Sequence, residues 1–133
     1  MWRLDAVVIA GRVILTLALV GTIVGPILAD WNRSHIFNDG WPSHARFHGV
    51  VGLGMATLMS AFALWQLWAA TAVALAAAVP IAYWGSFFIA LAVPGTGVDD
   101  PPHPVARPAG IPLNVLVPIV VVVLAAIGWL LGR

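Results

Sequence analysis

The chain contains no cysteine, no lysine and no glutamate. The missing thiols exclude disulfides, thiolate metal sites, cysteine-held iron–sulfur clusters and cysteine-ligated haem. Six arginines against five aspartates leave a net charge of +1 with no basic run, so the electrostatic footprint of a nucleic-acid binder is absent. Only 8% of the residues are charged and 62% are hydrophobic, whereas soluble domains carry about a quarter charged residues. Water is therefore the wrong solvent for most of this surface. The 133 residues suit one all-α domain, an integral membrane four-helix bundle whose core is the bilayer together with the helix contacts inside it.

Apolar runs of about 18 or more residues mark membrane spans. Four are predicted, at about 5–28, 44–65, 70–93 and 111–131, in one membrane domain with polar loops at 29–43 and 94–110. Met1-Trp2-Arg3 and the long apolar stretch behind it read as a retained first helix, because a signal peptide would be shorter and end in a small-residue cleavage site. Arg12 is expected to snorkel back to the headgroups beside Asp5, two turns away on the same helix face. Gly21 and Gly25, four apart, are expected to let a neighbouring helix approach closely. Ser43 is a candidate cap for the second span, and the tight turn between spans two and three is expected near Gln66 to Ala70. Pro80 and Pro118 remove helix hydrogen bonds inside spans three and four. Four spans put both termini on one side and both polar loops on the other. Arginines are balanced across the membrane, and the aspartate-rich loops lean the termini towards the cytoplasm.

Polar chemistry concentrates between Asp30 and His48, which hold three of the four histidines. His44 and His48 are one helical turn apart and project from the same face of span two, where Met55 and Met59 continue the stripe inward. Imidazoles at this spacing suit a transition metal, with His35 from the loop as third ligand, or a single haem iron with one of them as axial ligand. They equally suit a helix entrance hydrogen-bonded to water. Asp30 or Asp39 could orient an imidazole from behind. His103, held between prolines, could fold over the first loop, while Asp99-Asp100 reads as a solvated tip. Tyr83, Ser86 and Asn114 are polar groups at membrane depth, expected to face the bundle interior either as interhelical hydrogen-bonders or as groups steering a substrate oxygen.

The run Asp30-Trp31-Asn32, His35-Ile36-Phe37-Asn38, Trp41-Pro42 and His44-Ala45-Arg46-Phe47-His48 resembles the signature loop of a family of small, functionally uncharacterised four-span membrane proteins. More faintly, and over most of its length, the chain resembles styrene oxide isomerase. The shared features are a first loop ending in Gly40-Trp41, a histidine at the entrance to span two, Trp84 and Ser86 in span three, and a Gly/Pro-rich loop before span four. The chain departs from that enzyme in its Gly-Trp to histidine spacing, in lacking an asparagine further along span two, and in placing Tyr83 directly before Trp84.

The isomerase resemblance implies haem b bound between protomers of a trimer, with His48 as axial ligand and ferric iron acting as a Lewis acid on an epoxide. In this reading His44, Met55 and Asp30 support the cofactor side, and Tyr83 or Asn114 steers the oxygen of a small hydrophobic substrate. Two other readings stand beside it. One is a non-haem metal enzyme built on His35, His44 and His48. The other is a non-enzymatic membrane subunit or lipid-binding protein, with the bacterial cell membrane as the expected location throughout.

Overall fold

In a lipid phase the backbone can satisfy its polar groups only within a helix or a closed barrel. Long runs of Leu, Val, Ile and Ala without charge accordingly become helices. A computed structural model describes residues 2–99 and 104–133, with the backbone alone at 2–4. It contains α1 (Trp2–Asp30), α2 (Ser43–Ala69), α3 (Val73–Leu91) and α4 (Leu113–Gly132), with a single 3-10 turn at Pro108–Gly110 ahead of α4. Among the described residues there is no strand. All four helices are long and apolar enough to cross a membrane, so the chain is an all-α, multi-pass membrane bundle as its composition predicts.

α1 and α3 touch each other through the middle, and each also packs against α2 and α4. The interior is built from small residues, Ala18, Ala63, Ala76, Ala77 and Ala125, around Leu15, Leu19 and Leu67. The large side chains point out: Leu58 is 73% exposed and Ile89 is 70% exposed. Such inversion is stable only against lipid, where burying a large apolar group among other side chains gains little over leaving it among acyl chains.

The closest helix contact is between α1 and α4. A methyl group added at Gly11 would run into the backbone of Leu131 and Gly132, and one at Gly128 would lie 2.8 Å from Leu15 Cγ and 3.0 Å from the Gly11 carbonyl oxygen. The expected contact at Gly21 and Gly25 is not the one used. A methyl at Gly21 would meet nothing within 4 Å, and Gly25 faces only the Trp84 ring, at 3.5 Å. Small residues occur in every span, and only the three-dimensional register decides which pair meets.

This contact also sets the level of the bundle's end. Gly132, the last residue of α4, lies beside Gly11, Arg12 and Val73, the first residue of α3. From Gly11 to Asp30 α1 rises about 28 Å, which matches a hydrocarbon core of about 30 Å. Residues 5–10, ahead of this level, are largely exposed. Arg12 is thus at the rim rather than deep in a span, and it makes no ion pair with Asp5. The ion pairs among the described residues are His35 with Asp30 and Arg107 with Asp99.

Two tryptophans reach across to threonines of α1. The Trp84 indole N–H donates to Thr22 Oγ1 at 3.0 Å, and that hydroxyl donates to the Ala18 carbonyl. The Trp68 N–H donates to Thr16 Oγ1, also at 3.0 Å, and Thr16 donates back to Arg12. Both of these indole nitrogens are thereby paired. Both threonines bond their own helix carbonyl four residues back, leaving the oxygen lone pairs turned outward.

The α2–α3 connection spans only residues 70–72, a little later than the expected turn. Thr71 takes φ +55° there, and the Ala72 N–H closes onto the Gln66 carbonyl at 3.1 Å. Ser43 does not cap α2. It is already helical, and Pro42 occupies the cap position without a side-chain hydrogen bond. Pro80 and Pro118 are buried inside helices that continue through them, leaving the Ala76 and Asn114 carbonyls without their usual N–H partner.

Candidate functional site

The first polar loop, 31–42, is folded by its own side chains. Asn32 Nδ2 donates to the Ala29 carbonyl at 2.6 Å, while its Oδ1 accepts from the Ser34 N–H at 2.8 Å and from Ser34 Oγ at 2.6 Å. Asn38 repeats the pattern, donating to the Ser34 carbonyl and accepting from the Gly40 N–H. Arg46, from the first turn of α2, donates to the Asn38 carbonyl at 2.9 Å and ties the loop to the helix. Short amide side chains that bond two residues ahead are natural organisers of tight turns.

The folded loop is pinned to the bundle by one apolar residue. Ile36 is 3% exposed. Its Cδ1 would lie 2.8 Å from a methyl at Gly49, so the missing side chain of Gly49 is the seat for Ile36, with the Trp41 ring beside it. Residues 31–42 therefore form a fixed cap over the mouth of α1 and α2.

His35 and Asp30 belong to this cap. His35 Nε2 lies 3.9 Å from Asp30 Oδ1, its Nδ1 is 2.8 Å from Ser34 Oγ, and its ring meets Trp41 edge to face at 5.5 Å. Asp30 closes α1 at the negative end of its dipole, where a carboxylate is disfavoured unless a cation or donor faces it, and His35 is placed to do so. His35 is therefore organised with Asp30 and does not join the other two histidines.

His44 and His48 do meet. Both are exposed on the first two turns of α2, their Nε2 atoms are 3.1 Å apart, and the rings stand edge to face with centroids 4.5 Å apart. A hydrogen bond across this gap requires one ring to carry its proton on Nε2 and the other to present a bare nitrogen. No group of three or more His, Asp or Glu able to hold a metal ion is found among the described residues. The three-histidine ligand set thus reduces to a pair.

One turn below His48 on the same face, Gly52 opens a groove between α2 and α3 of about 350 Å³, lined by Met55, Met59, Val79, Ala82, Tyr83 and Ser86. Met55 is 56% exposed, so the groove faces the lipid sideways. Ser86 Oγ donates to the Tyr83 carbonyl at 2.6 Å, and the Tyr83 ring stands edge to face on the anchored Trp84 at 5.2 Å. A second groove, about 500 Å³, lies between α1 and α2 and is lined by Ile27, Trp31, Val50, Leu53, Gly54, Thr57 and Leu58.

Asn114 does not line either groove. Its Nδ2 donates to the Val98 carbonyl at 2.7 Å, fastening the second polar loop to α4, and its Oδ1 is buried without a partner. Arg107 grips Asp99 at 2.7 Å in the same loop. Asp100 and His103, with the proposed folding of His103 over the first loop, lie outside the described residues.

The site therefore divides into a His44–His48 pair above a methionine-lined groove holding Tyr83, and a separate Asp30–His35 pair inside the loop cap. Neither a curated protein nor a solved structure matches the chain. A family model does, and it begins at residue 13, beside the level where the packed bundle begins, and runs through both loops to the end of α4. By that match over residues 13–133 the chain belongs to the family of unknown function DUF6640.

Proposed function

We propose that this protein is a membrane-embedded, isomerase-like enzyme that takes a small hydrophobic oxygenated molecule, such as an epoxide, into the groove between α2 and α3. Haem b is its proposed cofactor and His48 the axial ligand. One observation carries the reading: an exposed imidazole, an apolar groove and a single phenol share one flank of the bundle, with Tyr83 and Ser86 the polar groups in an otherwise apolar lining. A pocket of this kind binds by apolar contact and orients by a few polar groups.

The residues fit a haem in part. His48 is exposed and can turn its Nε2 from His44 towards an iron, and Met55 and Met59 offer soft, adaptable contacts along the same stripe. A groove of about 350 Å³ on one chain does not enclose a macrocycle. A second copy covering the exposed methionine face would supply the other wall, as in the homotrimer that the isomerase resemblance implies. Bound ferric iron would supply Lewis acidity towards a substrate oxygen. The chain's own part is to exclude water with apolar walls and to offer the Tyr83 hydroxyl to that oxygen. Tyr83 is held edge to face against Trp84. The proposed location is a bacterial cell membrane with cytoplasmic termini.

The test is an absorption spectrum of protein purified from haem-supplemented cells, beside His48→Ala. The reading expects a Soret band that the variant loses while keeping its helical circular dichroism. A full band in the variant, or none in either protein, overturns it.

A second reading, a non-enzymatic lipid-binding subunit, is favoured by the groove between α1 and α2. That groove is larger, and Thr57 and the Trp31 indole are the only polar groups in an otherwise apolar lining that an acyl chain would contact. Stoichiometric co-purified lipid with no cofactor would support it.

A further inference from the structure

We propose that His44 and His48 together form a two-nitrogen chelate for a hydrated divalent transition-metal ion of the copper, nickel or zinc class. The inference goes beyond the haem reading and stands on the geometry of the pair alone.

Imidazole nitrogens bind such ions at about 2.0–2.1 Å. Two Nε2 atoms 3.1 Å apart then subtend roughly 100° at a shared ion, taking the bond lengths above, which suits neighbouring ligands of either a tetrahedral or an octahedral centre. The separation already brings both Nε2 atoms within reach of a single ion. The rings come from consecutive turns of one helix, the spacing that puts two histidines on a single face, so little side-chain freedom remains to be lost on binding. To take the ion, the ring that carries its proton on Nε2 changes tautomer and carries it on Nδ1. No proton leaves the pair, and both lone pairs then face the metal.

The surroundings set the class of ligand. Both rings are exposed at the loop end of the bundle, so water can fill the remaining positions and the ion can exchange. Asp30 and His35 are occupied with each other in the cap. No carboxylate joins the pair in a three-ligand group among the described residues. A site of two neutral imidazoles without a carboxylate selects ions that prefer nitrogen over magnesium or calcium, which prefer oxygen. Phe47, edge to face on His48 at 5.6 Å, packs on the pair and limits ring rotation. Because His48 is shared, an ion held here and a haem iron on His48 exclude each other.

The experiment is calorimetric titration of Cu2+ and of Zn2+, each alone, into the full chain in mild detergent, purified without haem supplementation through a tag without histidine and showing no Soret band. His44→Gln, His48→Gln and His35→Gln follow, each checked by circular dichroism. The expected result is one ion per chain, with binding weakened about tenfold or more by either change in the pair, since losing one arm of a chelate loses the effective concentration of the other. His35→Gln should bind like the wild type. Equal weakening in His35→Gln, or wild-type affinity in His44→Gln, overturns the proposal, as does no binding by the wild type. The two ideas separate when haem and ion are tested on separate samples: a missing Soret band with intact Cu2+ binding defeats the haem reading alone, and a Soret band in haem-supplemented protein with no ion binding by the haem-free protein defeats the chelate alone.

Discussion

Replacing Gly11 with alanine should break the bundle at its tightest point. The added methyl would overlap the backbone of Leu131 and Gly132. No rotamer change relieves a clash with backbone, so α1 and α4 must move apart, and the contacts of Leu15 with Gly128 open with them. Overpacking of this kind costs about 1–3 kcal/mol. Gly21→Ala is the matched control, because its methyl meets nothing within 4 Å. On helix preference alone it should be neutral or stabilising by up to about 1 kcal/mol. That gain is common to both changes and cancels, so the two single-methyl variants should differ by the clash alone, about 2 kcal/mol, roughly a thirtyfold difference in the folding equilibrium. Unfolding in mixed micelles titrated with sodium dodecyl sulfate, followed by tryptophan fluorescence, measures this directly. Gly128→Ala should fall between them, since one of its close neighbours is the movable Leu15 side chain. If Gly11→Ala and Gly21→Ala unfold at the same point, the α1–α4 register described above is wrong.

Three further outcomes follow from particular contacts. Thr22→Val removes the acceptor of the buried Trp84 N–H and should cost about 0.6–1.7 kcal/mol, with most of that cost absent in a Trp84→Phe background when the double-mutant cycle is measured by the same unfolding assay. Thr71→Gly should stabilise the protein by about 1 kcal/mol, because a β-branched residue at φ +55° is strained where glycine is not; a lower unfolding midpoint would contradict this. Asn32→Ala removes four side-chain hydrogen bonds within the cap. Hydrogen exchange of residues 31–42 should accelerate while α3 and α4 stay protected, and uniform acceleration would show that the cap and bundle are one cooperative unit.

The four long apolar helices were legible because uncharged apolar runs of this length have one stable form in lipid. The spacing of His44 and His48 likewise sufficed to place them together, since four residues on a helix mean one turn. The groove residues Met55 and Tyr83 were separately conspicuous, as extensions of the histidine stripe and as the sole tyrosine. Their meeting depends on the register of α2 against α3, which periodicity does not encode. The same holds for Gly11 with Gly132, which lie at opposite ends of the chain. His35 reads from the sequence as a possible third metal ligand because it lies on the loop just ahead of His44 and His48. What decides its partner is the turn made by Asn32 and Ser34, which aims it at Asp30 instead. The signal for that turn is an asparagine two residues before a serine, with another asparagine before Asp39-Gly40. Ile36 and Gly49 form a pair that neither residue reveals alone: an apolar side chain in a polar loop, and a helix position whose value is an absent side chain.

The claim on which the functional account turns is that the His48 nitrogen is the axial ligand of a haem. The most direct measurement is the spectrum of His48→Gly, purified from haem-supplemented cells and then titrated with free imidazole. The account predicts little Soret absorbance without imidazole and its saturable return as imidazole fills the space the side chain left. A variant that keeps the wild-type band without imidazole would contradict it.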